Sequence, residues 1–307
     1  MKKRKVIIDC DPGIDDTFAL ILASRDPNTK IVGLTSCFGN NDVHSTTTNL
    51  LNLKDYLKIE APVFKGSEQP LMFTVSEYGE FHGINGLGGS TLPTATSTVE
   101  QGYAWDAIYQ ICKESPNEVT IITLGPLTNL AKTILKYDDF TSLVKEVHMM
   151  GGTSTIGNEG PYGEANFTHD PHAAKIVFAA GFKKTMAGLN ATGTTKLNEQ
   201  EILGLRNVIT EFLPELIPAL DHYDYVKVKY GDPGLVIHDA AAISAFLYND
   251  YESEHLPTDI ETSEGFSFGR SVIDRRPYSQ SRRNAFIIKN INKKTYYEAL
   301  LRTVGTG

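Results

Sequence analysis

Apolar residues recur along the chain in two rhythms. The short, β-rich runs KVIID (5–9), KIVGLTS (30–36), EVTIITLG (118–125) and VKEVHMM (144–150) are bounded by Gly, Asp or Asn, as strands buried on both faces are. Between them, DDTFALILAS (15–24), VHSTTTNLLNLKDYL (43–57), VEQGYAWDAIYQICKES (99–115) and LTNLAKTILKY (127–137) place apolar residues at helical spacing. Another helix begins in HDPHAAKIVFAAG, with Asp170 as its cap, Pro171 in its first turn and Gly181 as its stop. Strand and helix alternate, which predicts an α/β fold with an open, mainly parallel sheet flanked by helices. Further on, 198–222 and 238–250 read as helices, and FSFGRSVID with RRNAFIIKN reads as a strand pair appended late. No linker, repeat or low-complexity segment divides the chain, so residues 1–307 are expected to form a single domain. The Gly-rich segments 79–90 and 151–163 fit neither rhythm and are candidate site loops.

With 307 residues, 41% of them apolar, the chain can bury a sizeable core. Its net charge of −8 provides no basic field for nucleic acid or anionic lipid, so neither partner is expected. The basic start, Lys2 to Lys5, is followed only by Val6-Ile7-Ile8 before Asp9, too short an apolar run for export or for spanning a membrane. Cys10, Cys37 and Cys112 are few, far apart and odd in number, which suits a reducing cytoplasm.

One stretch breaks the apolar pattern sharply. DCDPGIDD packs Asp9, Asp11, Asp15 and Asp16 between the first strand and the first helix. Strand ends in a parallel sheet are where ligands gather, and Pro12-Gly13 turns the chain tightly there. Helix capping explains one of these aspartates or two, because negative charge is favoured at a helix N-terminus by ~0.5–2 kcal/mol. Four carboxylates within reach of one another repel, and burying them needs a cation or donors. All the donors are hard oxygens, which favours Ca²⁺ or Mg²⁺. Asp239 in LVIHDAAAIS and the Leu124 carbonyl before the Gly-Pro turn of ITLGPLTN can reach the same cleft, although a cap and a plain turn explain those segments as well.

Taken together these segments resemble the nucleoside hydrolase family, the inosine-uridine preferring enzymes that cleave ribonucleosides to ribose and base. The resemblance runs through DCDPGIDD, CFGN (37–40), FHGINGLGG (81–89), TLGPLTNLA (123–131), MMGGTSTIGN with EANFTHDP (149–171) and VIHDA (236–240). It implies the family's Rossmann-like core. It also implies Ca²⁺ held by Asp11, Asp16, Asp239 and the Leu124 carbonyl, and a ribose pocket of Asp15, Asn40, Asn158, Glu164 and Asn166. Asp11 would be general base toward a Ca²⁺-held water, His238 the acid at the leaving base, and Asp9 a support for the metal ligands. Base contacts would come from His82 and, in DHYDYVKVKYGDPG, from Tyr225 and Tyr230. Ala165 departs from relatives that carry a larger residue there, so base contacts on that side differ. A homodimer or homotetramer acting on a small ribonucleoside follows from the same resemblance.

The chemistry of the residues agrees with this. Cleaving an N-riboside builds an oxocarbenium-like sugar, which clustered carboxylates, an activated water and a proton for the base all assist. Two alternatives stand beside it. A haloacid-dehalogenase-like phosphohydrolase also places Asp-x-Asp after its first strand, but has Thr or Val where Gly13 stands. A non-catalytic, calcium-dependent riboside-binding protein would have no use for Asp11 and His238 together.

Overall fold

The computed structural model describes residues 3–75, 77–78, 81–231 and 234–306, apart from the side chains of Lys227 and Tyr230. The strands among them are β1 (Arg4–Cys10), β2 (Thr29–Ser36), β3 (Val63–Phe64), β4 (Val119–Thr123), β5 (Glu146–Met150), β6 (Lys184–Ala187), β7 (Tyr251–Leu256), β8 (Thr258–Ile260), β9 (Ser271–Ile273) and β10 (Ala285–Ile291). Eight form one sheet in the order β3-β2-β1-β4-β5-β6-β10-β7, and every neighbouring pair is parallel except β10 with β7. The mainly parallel α/β architecture is the one the strand–helix alternation predicts.

Alternation along the central strands divides the core between the two faces. Val6 and Ile8 of β1 pack with the helices Ile14–Arg25, Val43–Tyr56, Glu199–Phe212, His238–Tyr248 and Lys293–Val304. Ile7 packs with the helices Ala104–Glu114, Thr128–Lys136 and Pro171–Ala179 on the other face. Local chemistry sets several boundaries. Asp170 accepts from the Ala173 N–H (2.9 Å) with Pro171 beside it, and the Asp42 carboxylate caps the helix that follows it.

The helix expected over 99–115 starts only at Ala104, because Gly102 at φ +97° turns the chain and Tyr103 is extended. The helix expected over 198–222 divides at Leu213, since Pro214 restricts its neighbour and has no N–H to continue the ladder. The late strand pair is not a pair. β9 joins β8 in an antiparallel ribbon, while β10 enters the large sheet between β6 and β7, where Ala285, Ile287, Ile288 and Ile291 are buried. Local pattern identified a strand there but could not say with which strand it pairs.

Candidate active site

Strand order reverses at β1. The chain moves outward to β2 and β3 on one side and to β4, β5 and β6 on the other, which opens a crevice at the carboxyl ends of β1 and β4. β1 delivers Asp9 and Asp11 to this point, β4 delivers Leu124 just beyond its end, and the helix Ile14–Arg25 begins beside them with Asp15 and Asp16 in its first turn.

Asp11 is sealed from solvent. Its Oδ2 accepts from the Asn40 backbone N–H (2.7 Å), and its Oδ1 has no partner. Asp16 Oδ2 accepts from the Gly13 N–H (2.8 Å), so capping accounts for one of its oxygens, and its Oδ1 has no partner. Asp15 Oδ1 is likewise buried without a hydrogen bond. Asp239, in the first turn of the helix His238–Tyr248, completes a group with Asp15 and Asp16 whose carboxylate oxygens lie within 4.8 Å of one another. Asp11 lies beside that group and outside it.

The electrostatics express this crowding. Burial, then Asp15, pushes Asp16 up to about 7, while burial, then Asp16, pushes Asp11 well above the usual carboxylate range. Asp239 is raised by burial and then by Asp15. Sealed carboxylate oxygens that repel one another, lack donors and offer only hard oxygen fit a divalent cation. The Leu124 carbonyl fits the same set. It accepts from Asn166 Nδ2 at 2.7 Å and keeps a second lone pair. Asp9 lies under this centre, its Oδ1 held by Thr35 Oγ1 (2.6 Å) and Asn129 Nδ2 (2.8 Å), and burial lifts it to about 7 against those two hydrogen bonds.

Above the carboxylates opens a cavity of about 550 Å³, lined by Asp15, Asn40, Leu124, Asn158, Glu164, Asn166, His238 and Asp239 among others. The segments singled out in the sequence therefore converge on one place. Asn40 Nδ2 donates to the Asp11 carbonyl (3.0 Å), and Asn158 Oδ1 accepts from the Ala165 N–H (3.0 Å). Glu164 spends both carboxylate oxygens on backbone N–H groups, of Gly152 (2.7 Å) and Asn166 (3.0 Å), so it anchors the 151–163 loop to the short helix Ala165–His169.

His82 also lines the cavity. The Ile14 N–H donates to its Nδ1 (3.2 Å), which leaves the ring proton on Nε2, 3.7 Å from Asp15 Oδ1. His238 Nδ1 lies 2.7 Å from Thr192 Oγ1, and burial lowers its pKa against the pull of Asp15.

Tyr225 stands away from the cavity, 59% exposed, with its ring tilted toward His222. On the helix Ile217–Tyr230 it is Tyr223 that turns inward, buried close enough to Asp15 and Asp239 for their charges to raise its hydroxyl further after burial has done so. The side chain of Tyr230 lies outside the described residues. Sequence reasoning missed Thr192, Phe81, His169 and Glu159. Thr192 carries no local signal, being 46 residues from the histidine it holds, whereas His169 shares helical spacing with Ala165.

Comparison with known proteins places this site in a family. The family "Inosine-uridine preferring nucleoside hydrolase" matches residues 6–298. A probable uridine nucleosidase 2 from Oryza sativa subsp. japonica is 38% identical over 81% of this chain and 75% of its own. The pyrimidine-specific ribonucleoside hydrolase RihA from Salmonella typhimurium is 30% identical over 96% of both chains. A plant nucleoside hydrolase, PpNRh1, superposes with a TM-score of 0.93 over 99% of both chains at 26% identity. The fold and the site thus define an N-ribosyl hydrolase, and the phosphohydrolase alternative is set aside. The chain belongs to the inosine-uridine preferring nucleoside hydrolase family.

Proposed function

We propose that the chain hydrolyses the N-glycosidic bond of ribonucleosides to ribose and free base, with Ca²⁺ held by Asp11, Asp16, Asp239 and the Leu124 carbonyl, Asp11 as general base and His238 as general acid. The observation that carries this is the set of partnerless, sealed carboxylate oxygens on Asp11, Asp15 and Asp16, gathered with Asp239 beneath a cavity that His238 also lines. When bound, the cation lowers the pKa of water and anchors the sugar diol.

Asp11, one oxygen fixed by Asn40, keeps the other free to take a proton from the attacking water. Bond cleavage develops positive charge on the sugar ring, and the carboxylates of Asp15 and Glu164 favour that charge in a site shielded from solvent. Asn40, Asn158 and Asn166 hold the ring in its reactive pose. Thr192 Oγ1 has the Gly188 carbonyl at 3.3 Å to donate to, so it accepts from His238 Nδ1–H, and the imidazolium form, which Asp15 supports against burial, carries the Nε2–H that goes to the departing base and leaves the neutral ring behind. Uridine is the first substrate to try, given the names of the rice and Salmonella relatives. A homodimer or homotetramer in the cytoplasm belongs to the same proposal. The free, buried cysteines support the compartment, and light scattering reads the assembly.

Incubating the purified protein with uridine, inosine and Ca²⁺ is expected to release reducing sugar, and chelation or Asp11→Asn is expected to abolish the release. The proposal is overturned by a protein that liberates no ribose from any nucleoside while binding one tightly, the behaviour of a riboside-binding protein. Release that survives both chelation and the substitution removes the assigned roles of cation and base.

A further inference from the structure

Among the described residues lining the cavity, His169 is an imidazole with no part in the chemistry proposed above. His169 ends the short helix Ala165–His169, four residues after Ala165, so the two share a face, and both line the cavity. Ala165 contributes only a methyl, and the imidazole one turn later is the side chain from this helix that can fill the space it leaves. His169 Nδ1 is sealed from solvent and has no hydrogen-bond partner.

That asymmetry assigns the proton. A buried N–H without an acceptor is tolerated less often than a bare acceptor, so the neutral ring carries its hydrogen on Nε2. Burial favours the neutral ring and outweighs the opposing charge of Glu159. The wall therefore offers an N–H donor from His169 and, from Glu159 beside it, a carboxylate acceptor. The groups assigned to ribose leave part of the lining unused: Phe81, His82, Ala165, His169 and Glu159 line the same cavity and have no ribose role. A nucleobase is what remains of the substrate to meet them.

We propose that His169 is a specificity-determining residue that reads the nucleobase edge: its Nε2–H donates to an exocyclic carbonyl oxygen while Glu159 accepts from the adjacent ring N–H. Uracil and hypoxanthine both carry this O=C–N–H edge. Cytosine and adenine present an amino group and a bare ring nitrogen in its place, which reverses donor and acceptor. A site built to hydrogen-bond one edge discriminates against the other because its own polar groups are then left unpaired. The inference rests on the hydrolase function proposed above and adds to it a choice between oxo and amino bases.

The test compares kcat/KM for uridine, inosine, cytidine, adenosine and p-nitrophenyl riboside in the wild type, His169→Phe and His169→Gln. Phe keeps a planar ring and removes the donor. It is expected to cost uridine and inosine about tenfold, leave cytidine and p-nitrophenyl riboside within about twofold, and so narrow the uridine-to-cytidine ratio. Gln restores an N–H and is expected to recover part of the uridine rate. An unchanged uridine-to-cytidine ratio in an active His169→Phe protein overturns the assignment, as does an equal loss on all five substrates, which marks a structural role. A wild type inactive on every riboside overturns the hydrolase proposal instead, and this inference with it.

Discussion

Thr192→Val removes one hydroxyl and almost nothing else. The side chain is buried, Val matches its shape, and the hydroxyl lies 2.7 Å from His238 Nδ1. Losing a buried hydrogen bond and leaving its partner unsatisfied costs about 1–2 kcal/mol. If that loss falls wholly on the transition state, kcat drops about 5- to 30-fold. If it falls wholly on folding, Tm drops by a few degrees and kcat stays put. The proposed role predicts the first outcome, and only for substrates whose leaving base needs a proton. Steady-state kinetics on uridine and on p-nitrophenyl riboside, whose leaving group departs unaided, separate the two cases. Uridine turnover is expected to fall within that range with p-nitrophenyl riboside turnover unchanged, and Thr192→Ser is expected to restore uridine turnover. Equal losses on both substrates would refute the idea that Thr192 acts through the acid, and so would an unaffected uridine rate.

Two further outcomes follow from the carboxylate cluster. Asp239→Asn removes one of the mutually repelling buried charges, so in chelator the variant is expected to melt above the wild type; it should also lose the stabilisation, about 2.7 kcal/mol at a hundredfold excess over Kd, that Ca²⁺ gives the wild type. A variant that responds to Ca²⁺ as the wild type does contradicts this. Burial holds Asp9, Asp16 and Glu164 at about 7 in the folded chain, above unfolded values of 3.8 for aspartate and 4.5 for glutamate. The folded chain thus binds more protons than the unfolded one between those limits, so these three groups make stability in chelator fall as pH rises from about 4 to about 7, and Asp11 and Asp239, raised by burial in the same direction, add to the fall. Urea titrations across that window test the slope, and a rise in stability over the same range counts against the assignment.

Much of the site was legible because its parts sit at element boundaries. Asp11 follows a strand, Asp16 and Asp239 open helices, and Leu124 precedes a Gly-Pro turn, and each boundary leaves a local mark in the sequence. What escaped was phase and partnership. On the helix Ile217–Tyr230, Ala219, Leu220, Tyr223 and Val226 are buried and Tyr225 is not, but apolar residues are spread around the helix and give no phase to choose by. Asp16 as a cap was anticipated, yet only coordinates reveal that capping uses one oxygen and leaves the other stranded. The place of β10 between β6 and β7 depends on strands far away in the chain, which no window of residues contains. His169 went unremarked because Asp170 beside it has an obvious task at the head of the next helix.

The pairing of β1 with β4 aligns Lys5 with Val119, and β1 therefore waits for one of its two flanking strands until more than a hundred further residues exist. Asp239 comes later still. During synthesis, DCDPGIDD emerges long before Leu124 and Asp239, so on the proposed ligand set a nascent chain would lack the carbonyl and the carboxylate that complete the cradle. On that proposal, ion capture would mark the end of folding, and a truncated product lacking the segment around residue 239 would keep its first aspartates and gain no grip.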